Sequence, residues 1–285
     1  MSASTGVRPS RPVATLRWLR DLGYQARIFV KRGFVHSASY RLNFSLSIVN
    51  VLIGLIAYYF FSRFADPGKL GGFADNPAAF IIVGTTFNTF VSVALASYAG
   101  SIRSEMFLGT IEHWLLSASS LTRLVALSTI WEFLWPLITT FVTFILMVIL
   151  IGVHFNVDWF ATLIFFLLTV VTMSGFGLIS AGIIMVSKIG DPLSTAWSAV
   201  NTLLIGAIYP VTVLPGWMQT ISNWLPNRHA LDAMRETTIH NAPLSSQMHE
   251  LGILLVFCLV TVPLGVLVFR LGFERARAQG TLAQF

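Results

Sequence analysis

Charge is what this sequence has least of. Asp, Glu, Lys and Arg make up 11% of its 285 residues, against about 25% in a soluble domain, and a chain this poor in charge cannot wet its whole surface. Cysteine is nearly absent too: the single Cys258 excludes an intrachain disulfide, a CxxC redox pair and a cysteine-based metal site. His36, His113, His154, His229, His240 and His249 show no ligand spacing, so no metal is expected. Nor does an HExxH, a Ser/His/Asp set or a paired-carboxylate site fall in one compartment. The phosphate-binding pattern GxxxxGK[ST] is missing as well. The only Gly-Lys pair, Gly68 and Lys69, lacks the preceding glycine and the following Ser or Thr. The chain is therefore expected to be no enzyme, and any energy must come from another chain or from a gradient.

What the sequence has instead is apolar length. With 55% hydrophobic residues, it contains charge-free runs over Leu42 to Ser62, Asn76 to Ile102, a third ending near Val153, Trp159 to Ser187, Leu193 to about Val213, and Leu251 to Phe269. Each can cross about 30 Å of hydrocarbon at about 1.5 Å per residue. The expected fold class is an all-α integral membrane protein of six transmembrane helices. The first run lies behind a long basic segment and is too long for a signal-peptide core, so it is expected to remain as the first span.

Residues 1–41 divide into a small polar tail and an amphipathic stretch from Pro12 to Gly33. There Arg17, Arg20, Asp21, Arg27 and Lys31 oppose Trp18, Leu19, Leu22, Ala26, Phe29 and Val30. This suits a helix lying in the interface of the lipid bilayer, with an ordinary solvated helix as the plainer reading. Residues 42–285 form the transmembrane domain. Fourteen of the eighteen Lys and Arg residues fall on the side of the N-terminus, and Arg63, Lys69, Arg228 and Arg235 fall on the other. The positive-inside rule then puts both termini in the cytoplasm of a multi-pass protein in the cell (inner or plasma) membrane. The net charge of +6 reports that topology. No basic-aromatic reading surface accompanies it, so no nucleic acid partner is expected.

The stretch 214–250 is too polar to span and too long for a structureless loop. It is expected to fold into short helices against the outer face, with Trp217 and Trp224 as interface anchors. The cytoplasmic loop 103–123 is unusually apolar, and such a patch bordered by charge marks a protein or membrane contact. A short helix carrying Glu105 and Glu112 beside Phe107, Leu108, Trp114 and Leu115 could seat in a groove on a partner, or lie on the membrane. Polar and small residues recur at helical spacing within the spans: Asn43, Ser47, Asn50 and Gly54 on the first, Gly84, Asn88, Ser92 and Ala96 on the second, Ser194, Ser198 and Asn201 on the fifth. Such stripes either glue helices together or line a weakly polar pathway. Glu132 is the one acid that could lie within a span, either as a functional intramembrane group or at the interface, and Pro136 one turn later would kink its helix.

The run Glu105 through Leu116 resembles the E-x-x-x-G-T-[LI]-E-x-L-L pattern of ABC-2 type transporter permeases, with Trp114 in place of the first Leu. Tyr209 to Gln219, ahead of Leu225 to Arg235, is similar to their signature before the last helix. Phe273 to Leu282, within the cytoplasmic tail 270–285, is similar to their C-terminus. Ser117 to Ser120 departs from the family, whose members often have Pro there. The resemblance implies the membrane subunit of an ABC exporter. It implies two copies of a cytoplasmic ABC ATPase as partners, with ATP and Mg on that subunit and no cofactor on this chain. A second permease subunit is implied as well, expected here to be identical. Arg103, Glu105, Gly109, Thr110, Glu112, Lys188 and Asp191 would then meet the ATPase. Asn43, Ser47, Asn50, Asn88, Ser92, Ser198 and Asn201 would line the pathway. Pro210, Pro215, Trp217, Pro226 and Arg235 would belong to an outer gate built by re-entrant helices. The substrate expected is amphiphilic: a lipophilic drug, a lipid or a lipid-linked glycan. The rival readings are an ion-coupled secondary transporter, which should show paired intramembrane charges, and a membrane-embedded transferase or protease, which should show convergent catalytic residues.

Overall fold

A computed structural model describes residues 76–107, 121–187 and 191–278; between 23 and 60 it describes only residues 23–25, 27, 28, 30–32, 34, 35, 49, 53, 54, 56, 57 and 60, each of them helical. Among the described residues there is no β-strand. The elements are α1 (Pro77–Phe107), α2 (Leu121–Ile151), α3 (Trp159–Ser187), α4 (Pro192–Leu204), α5 (Gly216–Ser222), α6 (Pro226–Ile239) and α7 (Met248–Ala278), with 3-10 turns at Val211–Val213 and Leu244–Gln247.

Local chemistry sets the helix starts. The Asn76 carboxamide oxygen accepts the Ala79 N–H at 3.1 Å, and Asp158 accepts from the N–H groups of Phe160 and Ala161, each at 3.0 Å. Asp191 caps α4 by accepting from Ser194 N–H at 3.0 Å, with Pro192 in the first turn, where its missing N–H costs nothing.

Among the described residues, four helices are long and apolar enough to cross a membrane: α1, the part of α2 from Thr129, α3 and α7. Most of the expected first span, 42–62, lies outside the described residues. The expected fifth span from Leu193 to Val213 is not one helix. It stops at Leu204 after 13 residues, about 20 Å of rise and too short for about 30 Å of hydrocarbon. The break has a local cause: Gly206 turns the chain at φ +72, a left-handed conformation that side-chain-bearing residues avoid. Two other boundaries also move. α1 continues past Ile102 to Phe107, which places Arg103 and Glu105 on the spanning helix instead of in a loop helix. The last helix runs to Ala278, so the first part of the expected tail is helical.

α1 is the most enclosed of the four long helices, with Phe80, Phe87, Leu95 and Ile102 buried along it. α2 and α7 show the opposite pattern, with Ile149 and Leu259 among many large apolar side chains turned outward. Such surfaces suit lipid and not water.

α3 and α7 meet backbone to backbone. A Cβ on Gly265 would overlap the Gly175 carbonyl oxygen, and one on Gly272 would overlap that of Gly182. The constant offset between these pairs means that the two helices run in the same direction. Small residues at such a seam let dispersion and close dipole contact act over about two turns, which is how helices associate without water to drive them. Gly265→Val should therefore lower the stability of the purified chain by about 3 kcal/mol through overpacking. Gly252→Val, where a Cβ meets nothing within 4 Å, should leave it unchanged. Thermal unfolding of both variants in one detergent checks the contrast.

Candidate functional site

The short helices α5 and α6 cap the end of the bundle at which α1, α3 and α7 begin. α6 is tied there to the start of α3 through Thr237. Thr237 O accepts the Asp158 N–H at 2.9 Å, and the hydroxyls of Thr162 and Thr237 lie 3.0 Å apart. Two exposed indoles, Trp217 and Trp224, sit on this cap. Pro215 and Pro226 stand at the helix starts, Pro215 as the residue before α5 and Pro226 as the first of α6, while Pro210 precedes the 3-10 turn.

Arg235 is the centre of this cap. Although the sequence places it among polar loop residues, its side chain is 2% exposed. One guanidinium nitrogen, Nη2, donates to Gly206 O and Ala207 O, each at 2.9 Å, and to Phe80 O at 3.3 Å. The guanidinium carbon lies 3.4 Å from the Phe80 ring centroid. It thus satisfies two carbonyls of the turn that follows α4, while the helix's own Leu203 O and Leu204 O accept from the Tyr209 and Ser222 hydroxyls. Burial pulls its pKa down to about 9, with the Asp232 carboxylate acting against that shift, so it remains charged at neutral pH. Gly84 makes the same junction possible from the other side, because a Cβ there would overlap Ala207 O.

From the cap a chain of amides leads inward. Asn227 Nδ2 donates to Asn201 Oδ1 at 2.7 Å, and Asn201 Nδ2 donates to Asn88 Oδ1 at 3.2 Å. Asn201 and Asn227 are buried, whereas Asn88 is half-buried. Asn88 lies eleven residues along α1 from Pro77, about 17 Å of rise and close to half of a bilayer core. Among the described residues, its Nδ2 is the terminal donor of the chain. Ser92 follows one turn further along α1, and Ser198 precedes Asn201 by one turn on α4. The structure thus brings the second and fifth polar stripes together and adds Asn227, which the sequence stripes alone did not include. A third amide was to be looked for, since two facing asparagines in an apolar bundle leave donors and acceptors to satisfy. Asn43, Ser47 and Asn50 lie outside the described residues.

The opposite end gathers charge. Glu105 is 1% exposed and paired with Arg32. It therefore does not project from a separate short helix as expected: α1 runs on to Phe107 and buries it in its last turn. Arg103 Nη2 lies 3.9 Å from Asp191 Oδ2, and Asp191 also accepts from the Ser180 hydroxyl. The expected coupling residues Arg103 and Asp191 are thus together. Gly109, Thr110, Glu112 and Lys188 lie outside the described residues. Glu132 falls within the apolar part of α2 and faces α1. Its backbone carbonyl lies 3.3 Å from Ser97 Oγ, and its carboxylate borders Gly100. The helix continues through Pro136.

A comparison with protein families matches residues 24–239 to the family described as ABC-2 type transporter. No curated protein matches the chain.

Replacing Arg235 leaves the three carbonyls that Nη2 serves without that donor. Arg235→Met should destabilise the protein by about 3 kcal/mol. Arg235→Lys should recover only part of that loss, because an ammonium lacks the planar face that lies over Phe80. Thermal unfolding in detergent measures both.

Proposed function

The chain belongs to the ABC-2 type transporter family, and on that premise we propose that it is the permease subunit of an ATP-driven exporter for an amphiphilic compound. The observation that carries this reading is the amide chain Asn227–Asn201–Asn88, a polar track that leads from the helical cap into the middle of an otherwise apolar bundle. Neutral amides suit cargo that is largely apolar with a few polar groups. They can exchange hydrogen bonds with it without holding a fixed charge.

The charge distribution of the sequence supports placing the cap outside and the Glu105 end in the cytoplasm. The cap then serves as the outer gate. Arg235 and Asn227 hold α6 against the break after α4, and the gate opens when the contacts between α6, α4 and α1 separate. At the other end, two cytoplasmic ATPase subunits, which bind ATP and Mg, would act through the pairs Arg32–Glu105 and Arg103–Asp191. Because α1 carries both Glu105 and Asn88, and α4 begins at Asp191 and carries Asn201, displacement at the cytoplasmic end reaches the polar track through two continuous helices. The outward face of α4, with Thr195, Ala196, Ala199, Val200 and Leu203 exposed, is where a second identical permease would pack.

Reconstitution with its cognate ATPase in proteoliposomes tests the reading. The complex should accumulate a lipophilic fluorescent amine only when ATP is supplied to the ATPase side. Uptake driven by a proton gradient without ATPase would overturn it in favour of a secondary transporter. Cysteine placed at Ser245 should be labelled by an impermeant reagent in intact cells, and cysteine at Ser117 only after permeabilisation. Glu105→Ala should leave insertion intact and lower coupled transport about five-fold or more, equivalent to about 1 kcal/mol. The exchange Arg32→Glu with Glu105→Arg should restore part of it if the pair acts as a unit.

A further inference from the structure

Away from the polar track, the close approach of α3 and α7 leaves a groove of about 320 Å³ at their far end. Its floor is the Gly182–Gly272 contact, and its walls include Ile183, Val186 and Leu271, all turned outward. Among the described residues, only two lining side chains are polar, Ser187 and Arg275, and both lie at the end where the helices finish. Ser187 Oγ is buried without a hydrogen-bond partner. Among the described residues, Arg275 has no acidic partner. The last turns of α7 carry Arg270, Arg275 and Arg277 against the single acid Glu274.

An apolar trough that ends in an unpaired guanidinium and an unsatisfied hydroxyl matches an amphiphile with an anionic head. The trough takes hydrocarbon, while a phosphate can accept from both Arg275 and Ser187. We propose that this groove binds an anionic phospholipid, with an acyl chain along the α3–α7 seam and the phosphate held by Arg275 and Ser187. The excess of cations around Arg275 favours a head group with net negative charge over a zwitterionic one. The site stands on the groove itself. Only its assignment to the cytoplasmic leaflet rests on the orientation proposed above, and cysteine labelling tests that separately.

Native mass spectrometry of the full-length chain in lipid-depleted detergent, titrated with dioleoylphosphatidylglycerol, dioleoylphosphatidylcholine or inorganic phosphate, tests the proposal. One phosphatidylglycerol per chain should bind more tightly than phosphatidylcholine. Arg275→Gln should weaken the anionic lipid about five-fold and erase the preference. Val186→Trp, which fills the trough from a half-exposed position, should weaken both lipids. Should that variant fail to fold, Arg275→Gln at the exposed rim decides alone. Unchanged phosphatidylglycerol binding in Arg275→Gln, or inorganic phosphate binding at Arg275 as tightly as the lipid, would overturn the proposal.

Discussion

One guanidinium on three carbonyls organises this molecule. A helix that stops inside an apolar bundle leaves backbone acceptors with neither the next turn nor water to satisfy them. Arg235 supplies the donor for Gly206 and Ala207, and by also reaching Phe80 O it joins α6, the end of α4 and the start of α1 at one point. Without that donor the break after Leu204 would carry unpaired polar groups. Without the break, α4 would run straight on, and there would be no place for the α5–α6 cap. Gly84 belongs to the same constraint, because only a residue without a Cβ lets Ala207 O come so close to α1.

The two ends of the bundle use different chemistry. At the cap, the buried contacts are mostly neutral: threonine hydroxyls, asparagine amides and backbone groups, with Arg235 the buried exception and the pairs Arg228–Asp232 and Glu236–His240 lying along α6 itself. At the far end they are ionic, with Arg32 on Glu105 and Arg103 near Asp191. Neutral hydrogen bonds between amides are individually weak and can be exchanged for cargo or water at small net cost. Ion pairs at an interface respond more strongly to a charged partner and to its withdrawal. This division would suit the outer gate and the ATPase contact proposed above, whose placement rests on the charge distribution of the sequence.

The glycine seam between α3 and α7 solves a separate problem. Water provides no hydrophobic force between helices immersed in hydrocarbon, so contact area and close backbone approach must hold them. Gly175, Gly182, Gly265 and Gly272 place the two backbones together over more than one turn. The same narrowness leaves a shallow trough beside the seam, so a single packing choice gives both the rigid pair and the surface on which a lipid chain can lie.

By itself the sequence determined the membrane class and most of the long helices. Absence of charge over about 20 residues has few other physical explanations, and the starts at Asn76, Asp158 and Asp191 are written in capping residues. It also determined the family, through Glu105 to Leu116 and the segment from Tyr209 to Arg235, and it marked Asn88 and Asn201 as polar positions in apolar surroundings. Tertiary structure decided what these residues touch. No pattern along the chain shows that Asn227 completes the amide chain, that Arg235 is buried on Gly206 and Ala207, or that Glu105 is enclosed with Arg32. Each depends on groups 26 to 73 residues apart. The apolar run after Leu193 reads as one span because composition measures the transfer of side chains. The break at Gly206 is a matter of backbone conformation, and a guanidinium from another helix sustains it.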